Sequence, residues 1–469
     1  MQEGCGQGVA SITSKKDREM TTAKDLIKAG IAEGPWIPEA LAAIESGELT
    51  LGEAVEKYKQ PDKIPLQSGL DWHTNLEATT ADEKNNFDSV HATMKAVMKT
   101  PGVKSGAVMP DACPAGPVGT IPVGGVVASE YIHPSMHSAD VCCSVMMSTY
   151  KDLSPAELLE SVHRSTHFGP GGRARGKQFK LDASLAEKFD SNEFLKSLVS
   201  DAGQFLGTQG DGNHFAYVGT RESDGATCLV THHGSRKPGA MLYKKGTALA
   251  KKRTHQLCPN TRNYWLDVNT SEGENYWEAL QIIREWTKAN HQVLHFCSDR
   301  EPEENFWNEH NFVFRKSDGL FYHAKGATPA WDGWADDATD YTLIPLNMSE
   351  PVLIARGKNA DHGLGFAPHG AGRNFSRTQH KRQVEGTNEE IFARETKGLD
   401  VRFYSGEIDV SELPSAYKNA DEVQRQMQHF GLADVADRVL PYGCIMAGDW
   451  QKNAPWKKRK RKSGQHKAD

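Results

Sequence analysis

Five short segments of the chain combine side chains that can bind metal or phosphate with a glycine-rich or turn-like context. In chain order they are SADVCCS, GDGNHF, THHGSR, NEHNFVF and APHGAGR. The candidate metal ligands in the first four are Asp140, Cys143, His214, His232 and His310, with His233 as an alternative to His232. A single histidine is usually a structural or surface residue, so one segment alone carries little weight. Together the segments predict a metal site assembled from distant parts of the chain.

Asp140 and Cys143 are three residues apart, which lets one turn direct a carboxylate and a thiolate at the same ion. The thiolate sulfur has enough lone pairs to bridge two ions. In the alternative interpretation, Asp140 caps a turn and Cys143 is a small buried apolar residue, the commoner fate of a free cysteine. We expect that fate for the adjacent Cys142.

Asn213 and Asn311 each adjoin a candidate histidine and offer both a donor and an acceptor to a phosphate or a base edge. Arg236 closes the segment THHGSR, where backbone N–H groups and a planar cation together would suit an anion. A simple surface turn is the alternative for this segment. The repeated pairing of His with Asn favours a binding site.

His369 lies in the loop APHGAGR, which has the strongest indication of chemistry. Gly370 and Gly372 would allow the backbone to approach a phosphate closely, and Arg373 could neutralise developing charge. A neutral imidazole nitrogen can attack phosphorus and form a phosphoramidate, which divides one difficult transfer into two easier steps. A glycine turn with an incidental histidine is the alternative.

The elements that must position these residues are helices and strands in irregular alternation. Helical spacing of apolar residues predicts helices at 82–100, 155–166, 185–206 with a break near Asp190, and 275–294 as a surface helix. Apolar, β-branched runs predict strands at 121–129 and 143–149 and in HFAYVG, ATCLVTH, NFVFRK and PVLIARG. Without a regular βαβ order, we expect an α+β or mixed α/β fold around a central metal-binding cleft.

The domain prediction has four parts. We expect a disordered extension at 1–20, a peripheral N-terminal lobe at 21–80, one catalytic domain at 81–450 and a basic tail at 451–469. The tail contains an unbroken cationic run from Lys457 to Lys462, which is either a solvated tail or an arm that contacts RNA phosphates.

Bulk composition excludes several classes of protein. A hydrophobic content of 38% and a charged content of 25% are typical of globular proteins, and a net charge of −6 argues against coating nucleic acid by bulk charge. Eight unevenly spaced cysteines do not resemble a disulfide framework, so we expect a reducing cytoplasm. No apolar run approaches the roughly 20 residues that cross a bilayer. The first residues do not combine a cationic stretch with an apolar one, so we expect no secretion signal there.

From roughly residue 85 to 448 the chain resembles the RtcB-type RNA-splicing ligases. Matching motifs occur in the order of that family: MPD at 109–111, IPVGG, the D-x-x-C of 140–143, GNHF, H-x-GSR, HN, HGAGR and AYKNADEV at 416–423.

The resemblance implies the mixed α/β fold of that family and a site for two manganese ions, both touched by Cys143 and completed by Asp140, His214, His232 and His310. The donor atoms alone would have favoured zinc. His369 would attack the α-phosphate of GTP, release pyrophosphate and hold guanylate. RNA ending in a 2′,3′-cyclic phosphate or 3′-phosphate would then be activated and joined to a 5′-hydroxyl end, in RNA repair or splicing.

The resemblance also implies the binding residues and partners. Nucleotide contacts are implied for Asn213, Asn311, Met348, Ser349, Gly370, Ala371, Gly372, Arg373 and Tyr417, the last against guanine. Contacts with RNA or phosphate are implied for Arg236 and Arg377. Broken tRNA or rRNA and GTP would be the partners, and an accessory protein is left open.

Three departures mark this chain as a divergent paralogue. Tyr217 stands where the family has an acidic residue, and Pro345 to Ser349 read PLNMS where the family reads like PGSMG. Ala447 stands where the family has a lysine in a strand end like IKG. Two other functions therefore stay open: a metal-dependent phosphoesterase acting on RNA ends, and a non-catalytic protein that binds RNA ends.

Overall fold

The structure is a computed structural model that describes residues 21–31, 34, 36–58, 62–296 and 300–450. The predicted extension 1–20 and the basic tail 451–469 lie outside the described residues. Contacts divide the chain into two compact units between Ile64 and Pro65.

The first unit contains three short helices: α1 (Ala23–Lys28), α2 (Ile37–Glu45) and α3 (Leu51–Tyr58). Helix α1 begins with a capping box in which Thr22 and Asp25 each bond the backbone N–H of the other. Leu26 and Ile37 are among the residues that form the small core of this unit.

The second unit contains the remaining described helices and all described strands. Its helices are α4 (Ala81–Val97), α5 (Pro155–Ser165), α6 (Ala183–Ser191), α7 (Val199–Phe205), α8 (Arg236–Thr254), α9 (Ser271–Phe296), α10 (Arg377–Gln383), α11 (Asn388–Glu395) and α12 (Ala420–His429). Short 3₁₀ helices lie at Pro134–Met136, Lys196–Leu198, Asp361–Gly363, Val410–Glu412 and Pro414–Ala416. Several helices begin where the sequence supplies a cap; α4, for example, follows a capping box of Thr80 and Glu83.

The strands are β1 (His73–Thr74), β2 (Val103–Cys113), β3 (Val123–Ser129), β4 (Ser144–Tyr150), β5 (Phe215–Arg221), β6 (Thr227–His233), β7 (Glu304–Glu309), β8 (Asn311–Arg315), β9 (Phe321–Lys325), β10 (Ala327–Pro329), β11 (Tyr341–Pro345), β12 (Val352–Gly357), β13 (Phe366–Pro368), β14 (Asp400–Phe403) and β15 (Ala433–Met446). The largest sheet has the order β11-β12-β15-β5-β6-β4-β7, with β14 paired to β15. A second sheet has the order β1-β2-β3-β9-β8, and β10 pairs with β13. The fold is therefore mixed α and β, as the sequence predicts.

The large sheet is nearly closed, because its two edge strands approach each other. The backbone N–H of Leu343 in β11 donates to Oδ1 of Asn308 in β7 at 2.8 Å. The main hydrophobic core includes Met146 of β4 together with Ile283 and Trp286 of α9. One face of the sheet thus packs on α9.

Most predicted elements are present within a few residues of their expected bounds. Helix α4 buries Val90, Met94 and Val97 as predicted, and the predicted break near Asp190 separates α6 from α7. The prediction of a surface helix at 275–294 was wrong in one respect. Helix α9 also buries residues outside the predicted stripe, including His291 and His295, because it packs deeply against the sheet. Among the described residues, no helix is long and apolar enough to cross a membrane.

Candidate metal centre and nucleotide cavity

The ends of neighbouring strands bring the predicted ligands together. Cys143 comes directly before β4, and His310 comes directly after β7, which pairs with β4 through Ser144 opposite Glu309. His232 lies in β6 opposite Phe215 of β5, and Phe215 directly follows His214. In an antiparallel sheet the start of one strand lies beside the end of its neighbour, so residues far apart in sequence meet at the same edge of the sheet.

The five predicted ligands form two donor groups that share Cys143. One group is Cys143, His232 and His310, and the other is Asp140, Cys143 and His214; within each group the donor atoms lie within 4.8 Å of one another. Sγ of Cys143 lies 3.2 Å from Nε2 of His232 and 3.6 Å from Nε2 of His214. Cys143 is thus the residue common to the two groups that could hold a metal ion.

Two of the imidazoles are oriented by backbone carbonyl groups. Nδ1 of His214 donates to the carbonyl of Gln209 at 2.6 Å, and Nδ1 of His232 donates to the carbonyl of Asn213 at 3.0 Å. These bonds leave each Nε2 free to bind metal, the usual arrangement for histidine ligands. Nδ1 of the buried His310 has no hydrogen-bond partner. The donor set of oxygen, sulfur and imidazole nitrogen fits transition-metal ions.

Burial determines the protonation of the site. It lowers the pKa of His232 to about 3 and lowers the pKa of His310 well below its ordinary value, so both imidazoles are neutral near pH 7. Burial, together with the nearby Asp140 carboxylate, raises the pKa of the Cys143 thiol. Burial also acts to raise the pKa of Asp140, but the neighbouring His214 outweighs it and the net shift is downward. A coordinated cation would be needed to ionise the thiol.

His369 lies beside this centre and is held by a buried carboxylate. Its ring centroid is 4.8 Å from that of His310. Nδ1 of His369 donates to Oδ2 of Asp111 at 2.6 Å, and the backbone N–H of His369 donates to the same oxygen at 3.1 Å. The Asp111 side chain is fully buried. This bond leaves Nε2 of His369 with a free lone pair.

A cavity of about 790 Å³ lies next to the metal centre and His369. Asp140, Cys143, His232, His310 and His369 are among its lining residues. Nine of the predicted nucleotide or phosphate contacts also line it: Asn213, Asn311, Met348, Gly370, Ala371, Gly372, Arg373, Arg377 and Tyr417. Gly372 has a φ of +70°, and a Cβ there would collide with the backbone of Asp111, so only glycine fits this turn.

Two predicted contact residues do not line this cavity. The Ser349 hydroxyl donates to Oδ1 of Asn347 at 3.0 Å within the PLNMS turn. Arg236 lies beside the metal centre, where its guanidinium donates to the carbonyl of Gly169 at 2.8 Å and to Oγ1 of Thr208 at 3.2 Å.

A buried glutamate connects three residues of the cavity wall. Glu412 accepts hydrogen bonds from Arg373 at 2.6 Å, from Arg377 at 2.5 Å and from the Tyr417 hydroxyl at 2.6 Å. The Arg373 guanidinium also lies 4.5 Å from the centre of the Tyr417 ring. Glu412 thus fixes two cations and an aromatic face in the wall of the cavity.

Two residues that depart from the family pattern, Tyr217 and Ala447, are both buried in the structure. Tyr217 is buried, and its hydroxyl donates to the carbonyl of Val439 at 2.9 Å. Ala447 is fully buried in an apolar cluster and does not line the cavity, whereas Met446 does. Tyr217, Met446 and Met348 thus contribute aromatic and apolar side chains to the cavity wall.

Asp111 and Glu412 are site residues for which the sequence reasoning assigned no role. Asp111 lies within the matched motif MPD, so that motif was the available signal. Glu412 lies in a 3₁₀ helix and in none of the matched motifs. Its role depends on contacts with Arg377 and Arg373, which are 35 and 39 positions away in the chain.

Comparison with known proteins determines the family. A family model described as tRNA-splicing ligase RtcB matches residues 93–447, which is more than half of the chain. This chain belongs to the RtcB family. The matched range includes the segments of this chain that form both donor groups and the loop that contains His369.

Curated relatives named tRNA-splicing ligase RtcB are similar at modest identity. The Thermococcus kodakarensis protein is 25% identical over 448 residues, covering 77% of this chain and 92% of the relative. The Archaeoglobus fulgidus protein is 29% identical over 283 residues, covering 51% of this chain and 58% of the relative. The Aeropyrum pernix protein is 27% identical over 298 residues, covering 54% and 62%. The match thus spans only about three fifths of the last two relatives.

Proposed function

We propose that this protein is a GTP- and manganese-dependent RNA ligase that joins a 2′,3′-cyclic phosphate or 3′-phosphate end to a 5′-hydroxyl end. The observation that carries the proposal is the sharing of Cys143 between two donor groups, next to an imidazole oriented by a buried carboxylate. The names of the relatives support RNA splicing as the setting. The proposed substrate is broken tRNA or rRNA. The proposed compartment is a reducing cytoplasm, which agrees with the unpaired state of the described cysteines.

The first step is nucleotidyl transfer to His369. Its free Nε2 attacks the α-phosphorus of GTP, a P–N bond forms, the bond to the bridging oxygen breaks and pyrophosphate leaves. The ring acquires positive charge, which the Asp111 carboxylate at 2.6 Å from Nδ1 offsets. Paired manganese ions held by the two donor groups would polarise phosphate oxygens.

The later steps use the same cavity. Hydrolysis opens a 2′,3′-cyclic phosphate, and the resulting 3′-phosphate oxygen attacks the guanylate phosphorus and frees His369. The 5′-hydroxyl then attacks the activated 3′-phosphate, and GMP leaves. Arg373 and Arg377, oriented by Glu412, are the cations available to anionic phosphate in this wall.

The apolar wall at Tyr217 and Met446 favours one alternative, a metal-dependent phosphoesterase that uses no nucleotide. A non-catalytic protein that binds RNA ends is the third possibility.

A ligation assay on RNA with a 2′,3′-cyclic phosphate and a 5′-hydroxyl end separates the three. The ligase joins ends only with GTP and manganese, and His369→Ala abolishes joining. Opening of the cyclic phosphate without nucleotide, unaffected by His369→Ala, would identify the phosphoesterase, and binding without turnover would identify the third.

A further inference from the structure

Helix α8 is strongly basic, although the chain as a whole is acidic. Its 19 residues, RKPGAMLYKKGTALAKKRT, include lysine or arginine at seven positions and no aspartate or glutamate. The net charge of the whole chain is −6. Composition of this kind concentrates positive potential on one surface.

The connection between α5 and α6 has the same character. Residues 166–180 read THFGPGGRARGKQFK, again without an acidic residue. Arg175, Lys177 and Lys180 are exposed there. We name this connection and helix α8 together the basic surface.

The two parts of the basic surface meet beside the metal centre. Arg236, the first residue of α8, donates to the carbonyl of Gly169 in the connection at 2.8 Å. A Cβ built at Gly210 would contact both the Arg236 guanidinium and the ring of the candidate ligand His214. The basic surface therefore begins at the candidate metal site and extends away from it along α8, which is about 28 Å long at about 1.5 Å per residue.

Some cations of this surface are neutralised and others are available. Lys237 pairs with Asp201 at 2.7 Å, and Arg253 pairs with Glu272. Lys244 and Lys251 are exposed and have no acidic partner within 4.0 Å among the described residues. Burial lowers the pKa of Lys245, and the nearby Lys196 lowers it further, which reflects crowding of like charge.

The spacing of the available lysines suits a polyanion in extended contact with the helix. Lys244 and Lys251 are seven residues apart, so they share one face and are separated by about 10 Å along the axis. With a rise of about 3.4 Å per phosphate along a stacked strand, that separation spans about three phosphates. A membrane-binding helix would need large apolar side chains beside its lysines. None of the exposed large hydrophobic residues among those described lies on the basic surface.

We infer that the basic surface binds the phosphodiester backbone of the RNA whose end reacts at the metal centre. The inference rests on the proposed function for the identity of the polyanion. It specifies which surface the RNA crosses: from the metal centre the strand passes Arg236 and the connection 166–180, and it continues along the Lys244 and Lys251 face of α8.

The test compares two double variants with equal change of charge. Lys244→Glu/Lys251→Glu alters the basic surface, and Lys151→Glu/Lys397→Glu alters two exposed lysines outside it. The probe is a fluorescent 20-nucleotide RNA with a 2′,3′-cyclic phosphate end, titrated with protein at several salt concentrations. Circular dichroism checks folding, and Arg175→Glu/Lys177→Glu is a second test of the same surface.

The expected result is a Kd about tenfold higher for Lys244→Glu/Lys251→Glu at low salt. The slope of log K against log salt should fall by about 1.4, the value for two lost single-strand phosphate contacts. Formation of a nucleotide adduct, which needs no RNA, should be unchanged.

Equal RNA affinity and equal slope in both double variants would overturn the inference, as would equal binding to vesicles of anionic lipid and to RNA. If the protein forms no nucleotide adduct but Lys244→Glu/Lys251→Glu still weakens RNA binding, the result supports the basic surface and counts against the ligase. Failure of the inference and failure of the proposed function can therefore be told apart.

Discussion

Nδ1 of His369 donates a 2.6 Å hydrogen bond to Oδ2 of the fully buried Asp111. The same oxygen also accepts the backbone N–H of His369. One carboxylate thus fixes the ring orientation, the tautomer and the loop at the proposed nucleophile. The arrangement corresponds to the way a buried aspartate orients the catalytic histidine of serine proteases.

Removal of Asp111 should slow nucleotidyl transfer without removing metal. We expect Asp111→Ala to lower the rate of adduct formation by at least about 100-fold, because the ring loses both its orientation and the charge that stabilises its cationic form. Asp111→Asn should fall between wild type and Asp111→Ala. Rapid-quench measurement of adduct formation gives the rates, and metal analysis provides the control. Loss of bound metal in parallel with the rate would contradict a role exerted through His369.

Replacement of Cys143 should affect both metal positions at once. Since both donor groups share its sulfur, Cys143→Ala should weaken binding of both ions. Asp140→Ala and His310→Ala should each mainly affect one. Cys142→Ala is the matched control, because Cys142 is an adjacent cysteine that packs in the main hydrophobic core. Manganese titration followed by metal analysis measures the stoichiometry, and a Cys143→Ala protein that keeps two tight ions would exclude a bridging thiolate.

Metal binding should release a proton from Cys143. In the metal-free protein, burial and Asp140 hold the pKa of this thiol above its ordinary value, so the proton is present at pH 7. His232, with a pKa of about 3, has no proton to lose at that pH. Metal affinity should therefore rise with pH between 6 and 8. Calorimetry in buffers of different ionisation enthalpy should find about one proton from this thiol, absent in Cys143→Ala.

Neutralising Glu412 should weaken nucleotide binding more than metal binding. Glu412→Gln keeps the shape of the side chain but reduces the attraction that holds Arg373 and Arg377 in the wall. We expect the Kd for GTP to rise about tenfold, the consequence of weakening hydrogen bonds between charged groups. Equilibrium dialysis with labelled GTP measures it. Unchanged GTP affinity, with both arginines displaced in a crystal structure, would show that the wall does not bind phosphate.

Local sequence patterns were sufficient to predict some of the elements, whereas others, such as helix α8 and the long strand β15, were not predicted. Strands such as β5 and β6 are apolar and β-branched, and α4 has a clear stripe and cap. Helix α9 was harder, because its burial depends on the sheet that packs against it. His291 and His295 are polar residues on a face that the sequence pattern had left to solvent, and both are buried.

The site was predictable where residue type limits the chemistry. Cysteine, aspartate and histidine in turn-like segments pointed to metal, and the structure brings those ligands within a few ångströms of each other. Asp111 and Glu412 could not be assigned in the same way, because a carboxylate is common in sequence. Their importance comes from burial and from partners that are distant in the chain.

Retention of nucleotide on His369 is the most direct test of this account. The metal-free protein is loaded with manganese, incubated with GTP labelled at the α-phosphate, denatured and separated from free nucleotide. We predict label on the wild-type chain that is acid-labile, as a phosphoramidate is, that maps to the peptide containing His369, and that is absent from His369→Ala. Absence of label with every nucleotide and metal tried, or equal labelling of His369→Ala, would contradict it.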